Sequence, residues 1–132
     1  MAAPNLIVQL PAKRALSAPF ALAALAALAA LGQPTRLQIF RLLMRREPKG
    51  LPAGAIAEII GCPQNTLSSH LGILARAGLV RGTRNGRSIA YRADVEGIRS
   101  VLAFLVSDCC GGRPEVCGLG DAIRRPSVRC KR

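Results

Sequence analysis

The sequence predicts one mainly α-helical domain carrying a small β-hairpin, and three observations lead there. Apolar residues recur at helical spacing in five separate segments between residues 20 and 109. Only residues 79–83 and 88–92 read as strands, and they flank Asn85-Gly86, a strong signal for a two-residue hairpin turn. With 132 residues, 50% of them hydrophobic, the chain can build one modest core. The expected division is an N-terminal arm over residues 1–19, the domain over 20–110, and a flexible C-terminal tail over 111–132.

The arm holds Pro4, Pro11 and Pro19 around the short apolar patch "LIVQL", a composition that favours extended chain. From Phe20 to Leu31 the alanines favour helix strongly, and Leu22, Leu25, Leu28 and Leu31 repeat every third residue as a slowly drifting stripe. Flanking alanines let another helix approach closely, which suits a subunit interface as well as an ordinary core helix. Gly32 ends the segment, and Pro34 fits the first turn of the next, where a missing N–H costs nothing. In "PTRLQIFRLLMRRE" we assign Leu37, Phe40, Leu43 and Met44 to the core face, with Arg36, Arg41, Arg45 and Arg46 elsewhere. "PKGLPAG" reads as a breaker-rich connection. "AIAEIIG" reads as a short helix, with Ala55, Ile56, Ile59 and Ile60 apolar and Gly61 as its stop.

In "GCPQNTLSSHLGILARAGLV" a tight turn over Gly61 to Pro63 precedes a helix whose buried stripe is Leu67, Leu71 and Leu74 and whose stop is Gly78. Two short helices joined by such a turn form a helix-turn-helix. The opposite face carries Gln64, Asn65, Ser68, Ser69 and Gly72, small or polar and none acidic. A helix entering the major groove needs short donors and acceptors and no carboxylate facing phosphate. The hairpin follows with Arg84-Asn85-Gly86-Arg87 at its tip, so it reads as a basic wing whose arginines meet phosphate or probe the minor groove. Asp94 is a plausible N-cap for the last helix, which runs to the cysteines with Val95, Ile98, Val101, Leu102 and Leu105 apolar.

Nineteen Lys and Arg against seven Asp and Glu give a net charge of +12, so a polyanion is the expected partner. Aromatic residues make up only 3%, which disfavours a stacking platform for single strands and leaves duplex DNA. Five cysteines, an odd number clustered late, read as reduced thiols in a cytoplasmic protein. Lys13 and Arg14 before the Ala/Leu run imitate an export signal, yet the run from Phe20 to Leu31 is short of the about 20 residues that cross a bilayer, so no membrane partner is expected.

The order of elements and their residues resemble the ArsR family of winged helix-turn-helix repressors. "LAALGQPTRLQIFRLL" at 28–43, "AGAIAEIIGCPQNTLSSHLGILARAGLVRGTRNGRSIAYR" at 53–92 and the helix after them carry the likeness, over roughly residues 20–110. It implies a homodimer built through the first and last helices, with the helix from Gln64 onward in the major groove of operator DNA. The implied DNA contacts are Gln64, Asn65, Thr66, Ser68, Ser69 and His70 on that helix, with Arg84 and Arg87 on the wing. His70 has a plainer alternative, a hydrogen bond within the core.

Departures from the family pattern matter as well. Members that hold a metalloid on the first helix of the helix-turn-helix use a Cys-x-Cys pair, whereas "AIAEIIGC" offers only Cys62. Members that hold zinc on the last helix use Asp and His pairs, and "VEGIRSVLAFLVSD" has no histidine. What remains is "SDCCGGRPEVCG", with Cys109, Cys110 and Cys117. Trivalent arsenic or antimony takes three thiolates in a pyramid, and soft ions prefer sulfur. Arsenite, antimonite or methylarsenite is therefore the expected inducer, a likeness to the C-terminal cysteines of some arsenic-responsive members supporting it. Zinc, cadmium or lead would need a fourth ligand such as Cys130, Asp108 or Glu115. Thiol oxidation is chemically feasible beside Arg113, and bystander thiols are the bland alternative. A reductase or phosphatase would need an arginine six places after its nucleophile, but positions 115, 116 and 123 hold Glu, Val and Ile, so the chain does not read as an enzyme. Cys62 reads as core packing.

Overall fold

The computed structural model describes residues 19–109. In chain order it has helix α1 (Pro19–Leu31), helix α2 (Pro34–Arg45), strand β1 (Leu51–Pro52), helix α3 (Ala53–Ile60), helix α4 (Gln64–Arg76), strands β2 (Val80–Asn85) and β3 (Ser88–Ala93), and helix α5 (Val95–Cys109). The arm and tail expected at the two ends lie outside the described residues, Pro19 excepted.

Helix ends follow their local chemistry. Gln33 caps α2 by accepting the Arg36 amide on Oε1 at 2.8 Å, and Pro34 takes the first turn. Gly61 ends α3 in the left-handed region at φ 78°. Asp94 caps α5, accepting the Gly97 amide on Oδ1 at 3.0 Å, as the sequence suggested.

One core joins the helices to the sheet. Leu67, Leu71 and Leu74 of α4 are buried as their spacing predicts, against Ile39, Phe40 and Leu43 of α2 and Ile56 of α3. The assignment on α2 needs correcting. Leu37 and Met44 are exposed, and Ile39 takes the central buried place on α2. On α1, where the sequence left a subunit interface and a core helix both open, Ala21, Ala24, Ala27 and Ala30 are buried, whereas Leu22, Leu25 and Leu28 are 55%, 44% and 41% exposed and Leu31 packs against the core. The every-third-residue repeat is real, but the alanine row turns inward because its small side chains let α1 lie close to its neighbours. On α5 Val101 is buried and Ile98 and Leu105 pack against the core, while Val95 and Leu102 point outward.

The sheet has three antiparallel strands in the order β1-β3-β2, one more than the hairpin expected. Leu51 and Pro52 pair with Tyr91 and Ala90, so the segment read as a plain connection supplies an edge strand, where proline is tolerated. Gly50, at φ 71°, brings the chain into that edge with its Cα directly against the Tyr91 carbonyl, leaving no room for a side chain. The hairpin turn also sits one residue later than expected. Asn85 pairs with Ser88, leaving Gly86 and Arg87 in the turn, with Gly86 at φ 68° and Arg87 at negative φ. That is the type II′ pattern, with glycine at the first central position, in place of Asn-Gly type I′.

Candidate nucleic-acid interface

Helix α4 starts at Gln64 after Pro63, and α3 starts at Ala53 after Pro52, neither with a side-chain cap nor an acidic residue in its first turn. The first amides of a helix lack partners within it and carry the positive end of its dipole. Gln64 reaches toward Gly54 in the first turn of α3, which brings the start of α3 beside that of α4. Two uncapped helix starts side by side suit a phosphate.

Of the residues implied as contacts, Gln64, Asn65, Thr66, Ser68 and Ser69 are all exposed on α4. His70 is half-buried, and its Nδ1 is enclosed with no hydrogen-bond partner. The plainer expectation for His70, a hydrogen bond within the core, is not met among the described residues. Gly72 is half-buried, and Arg76 extends the basic surface at the far end of the helix.

The wing contains four arginines of two kinds. Arg84 and Arg87 are exposed at the tip and form no ion pair with any described residue. Arg92 on β3 is held by Glu47 through Nη2 to Oε2 at 2.7 Å and Nε to Oε1 at 3.4 Å. The Glu47 hydrogen bond, then its charge, raises the Arg92 pKa above the usual arginine value, while desolvation opposes. A raised arginine pKa means that this contact is lost as pH climbs through the strongly alkaline range, where the guanidinium gives up its proton. Arg81 on β2 lies 3.5 Å from Asp94 Oδ2 and is largely exposed. The partners Glu47 and Asp94 were not foreseen as wing contacts, and 45 residues separate Glu47 from Arg92, beyond any local pattern.

The thiols divide differently. Cys62 is half-buried against the core in the helix-turn-helix turn, as expected. Cys109 is the last residue of α5, and Cys110 and Cys117 lie outside the described residues. Among the described residues no group of three or more His, Cys, Asp or Glu side chains is placed to hold a metal, and no helix is long and apolar enough to cross a membrane.

An uncapped helix with a polar outer face, set beside a basic hairpin on a helical core, defines a winged helix-turn-helix of the kind found in transcriptional regulators. A family profile described as a helix-turn-helix domain matches residues 31–83. The HTH-type transcriptional regulator NmtR of Mycobacterium tuberculosis is 47% identical over 62 residues, which are 47% of this chain and 49% of NmtR. The homodimeric winged helix-turn-helix DNA-binding domain Mb0332 of Mycobacterium bovis, a possible ArsR-family transcriptional regulator, is 32% identical, with a TM-score of 0.52 over 65% of this chain and 79% of its own. A possible transcriptional regulator for arsenical resistance is 28% identical, with a TM-score of 0.54 over 61% of this chain and 81% of its own. The chain belongs to the ArsR family of helix-turn-helix transcriptional regulators. Its matched segment spans about half the length of NmtR and of the similar KmtR, at 49% and 53%. These relatives are described as regulators of transcription.

Proposed function

We propose that this chain is a metalloid-responsive repressor. It binds operator DNA as a homodimer through α1 and α5, reads bases with Gln64, Asn65, Thr66, Ser68, Ser69 and His70, and grips phosphate with Arg84 and Arg87. Trivalent arsenic, as arsenite or methylarsenite, or antimonite binds Cys109, Cys110 and Cys117 and releases the DNA. The observation that carries the reading is the position of the thiols, which begin at the last residue of the helix whose first turn packs on the exit of α4. The solved relative described as a possible regulator for arsenical resistance favours the same ion.

The dimer is supported by Leu22, Leu25, Leu28 and Leu102, exposed leucines on the two helices concerned, and by the homodimeric relative Mb0332. The DNA surface is supported by the polar face of α4 and the unpaired tip arginines. Release requires the ion to bind free dimer more tightly than DNA-bound dimer, and DNA then weakens ion binding by the same factor. Couplings of this kind are about 1–3 kcal/mol, or roughly 5–150-fold in affinity.

The test begins by selecting the preferred duplex from a random-sequence library with the ion-free protein. Release of that duplex is then titrated with arsenite, methylarsenite, antimonite, zinc, cadmium, lead and peroxide in parallel. Arsenite or antimonite should release it at the lowest concentration, and serine at Cys109, Cys110 or Cys117 should leave DNA binding intact while abolishing release. Release by a divalent metal alone, or by peroxide alone, would replace the metalloid with a metal or oxidation signal at the same thiols. Unchanged arsenite release in all three serine variants would refute the site.

A further inference from the structure

We propose that Asp94 is a positioning residue that fastens the last helix to both DNA-reading elements, so that a displacement of α5 is delivered to α4 and the wing together. The inference rests on reading α4 and the wing as the DNA surface. It deepens that reading by naming the joint through which the surface is regulated.

Asp94 makes four connections from one position. Its Oδ1 accepts the Gly97 amide at 3.0 Å and caps α5. Its Oδ2 faces Arg81 of β2 at 3.5 Å. Its amide donates to the Leu79 carbonyl at 2.7 Å, and the Leu79 amide in turn donates to the Leu74 carbonyl in the last turns of α4 at 3.0 Å. Its carbonyl accepts the Ile98 amide at 3.2 Å, the first backbone bond along α5. An unbroken hydrogen-bonded route therefore runs from α4 through Leu79 and Asp94 into α5, with a side branch to the wing.

The packing around this joint makes it stiff. Gly97 lies directly on the Gly78 carbonyl, with no room for even a methyl group between α5 and the exit of α4. The first turn of α5 cannot tilt without pushing that exit. Gly97 and Cys109 are twelve residues apart, which at 1.5 Å per residue makes about 18 Å of helix beyond the contact. At the contact itself a cleft of about 400 Å³ opens between α1, the exit of α4 and the first turns of α5, lined by Ala23, Ala24, Ala77, Asp94, Ser100 and Val101. Its small walls leave the first turns of α5 room to tilt toward α1, while Asp94 and Gly97 fix the point about which the helix turns. A lever with a fixed fulcrum moves what the fulcrum touches, and here that is the recognition helix and the base of the wing.

A double-mutant cycle on the full chain tests this without any inducer. Leu105, half-buried on the far part of α5, is replaced by alanine to perturb the lever, in the parent and in Asp94→Ala, Asp94→Asn and Asp94→Ser backgrounds. The probe is a 30-base-pair random-sequence duplex, and hydrogen exchange is followed at the Leu79 and Asp94 amides and along β2 (Val80–Asn85). Leu105→Ala should change duplex affinity in the parent by roughly fivefold or more, the lower range of measured couplings. Asp94→Ala keeps the backbone bonds to Leu79 and Ile98 but loses the Gly97 cap that holds the first turn of α5 on the exit of α4. The change should therefore fall to under about twofold, and the response of the Leu79 amide should shrink with it. Asn and Ser keep an acceptor for Gly97 and lose the charge facing Arg81. They should retain the response at Leu79 and lose it in β2, which separates the cap from the ion pair and keeps the test valid if Asp94→Ala unfolds.

Equal fold-changes in every background would overturn the proposal, as would a parent insensitive to Leu105→Ala. Absence of duplex binding by the parent would refute the DNA surface, and the exchange data would still decide whether Asp94 carries the coupling.

Discussion

Gly97→Ala isolates the closest approach met at any described glycine. A methyl at this position would fall well inside the radius of the Gly78 carbonyl oxygen. That oxygen is backbone at the exit of α4, so it cannot rotate aside as a side-chain tip would. Helix α5 must therefore lift by more than the few tenths of an ångström that a packed neighbour gives. Overpacking costs about 1–3 kcal/mol and occasionally more. Lifting α5 also opens the packing of Val101, 6% exposed, and a partial loss of its burial adds about 1 kcal/mol. Alanine returns about 1 kcal/mol through its better helix propensity. The net expectation is a loss of about 1–3 kcal/mol.

Urea unfolding followed by circular dichroism measures it, with the slope of the transition checked so that a change in midpoint reports stability. Gly72→Ala is the control within the same fold. A methyl there meets only the tip of the Arg76 side chain at 3.6 Å. That substitution should stabilise α4 by about 0.5–1 kcal/mol. A Gly97→Ala protein as stable as the parent would refute the close-approach argument, and so would a Gly72→Ala protein that lost as much as Gly97→Ala.

Leu74→Ala, removing a side chain with no exposed surface, should cost about 2–5 kcal/mol in the same unfolding assay. Replacing Arg84 or Arg87 with alanine should reduce the slope of log affinity against log salt by about 0.9 for each phosphate no longer neutralised, across many duplex sequences. Arg92→Ala should leave that slope unchanged, because Glu47 already holds this guanidinium, and a reduction equal to that of Arg84→Ala would show that phosphate displaces Glu47. Leu25→Glu should shift a dimer to monomer in sedimentation while helix content is retained, and a dimer that survives it would exclude the α1 face from the interface.

Some of these features were legible in the sequence for physical reasons. Leu67, Leu71 and Leu74 could be assigned because, Ile73 apart, the other positions on α4 are polar or small, so only one face could turn inward. On α2 the pattern was ambiguous: Leu37, Ile39, Phe40, Leu43 and Met44 cover two adjacent faces, and only packing against α4 decides that Ile39 is central. Strand β1 could not be read, because it has two residues, one of them proline, and exists only by pairing with Tyr91 and Ala90. The turn shifted by one because a glycine at 86 serves either as the second position of type I′ or the first of type II′. Among the site residues, the exposed face of α4 follows from its own sequence. The division of the wing arginines into held and unheld does not, because it depends on Glu47 and Asp94 arriving from other elements.

The division of α1 between buried alanines and exposed leucines bears on how a dimer would be regulated. Fully burying a leucine is worth about 1.5–3 kcal/mol, and Leu22, Leu25, Leu28 and Leu102 each remain roughly half exposed. Covering the rest gives about 1 kcal/mol per side chain, or on the order of 8 kcal/mol for the eight leucines of a two-fold interface. Association costs about 4–15 kcal/mol, so these leucines alone hold two copies near balance. In the proposed dimer the deciding increment must come from surface further along α5, toward Cys109. In the proposed mechanism an ion gathering thiols at that end would act where a small change in contact shifts the assembly most. The alanine row makes this arrangement workable: it satisfies the core with small side chains and leaves the leucines of the same helix for the partner.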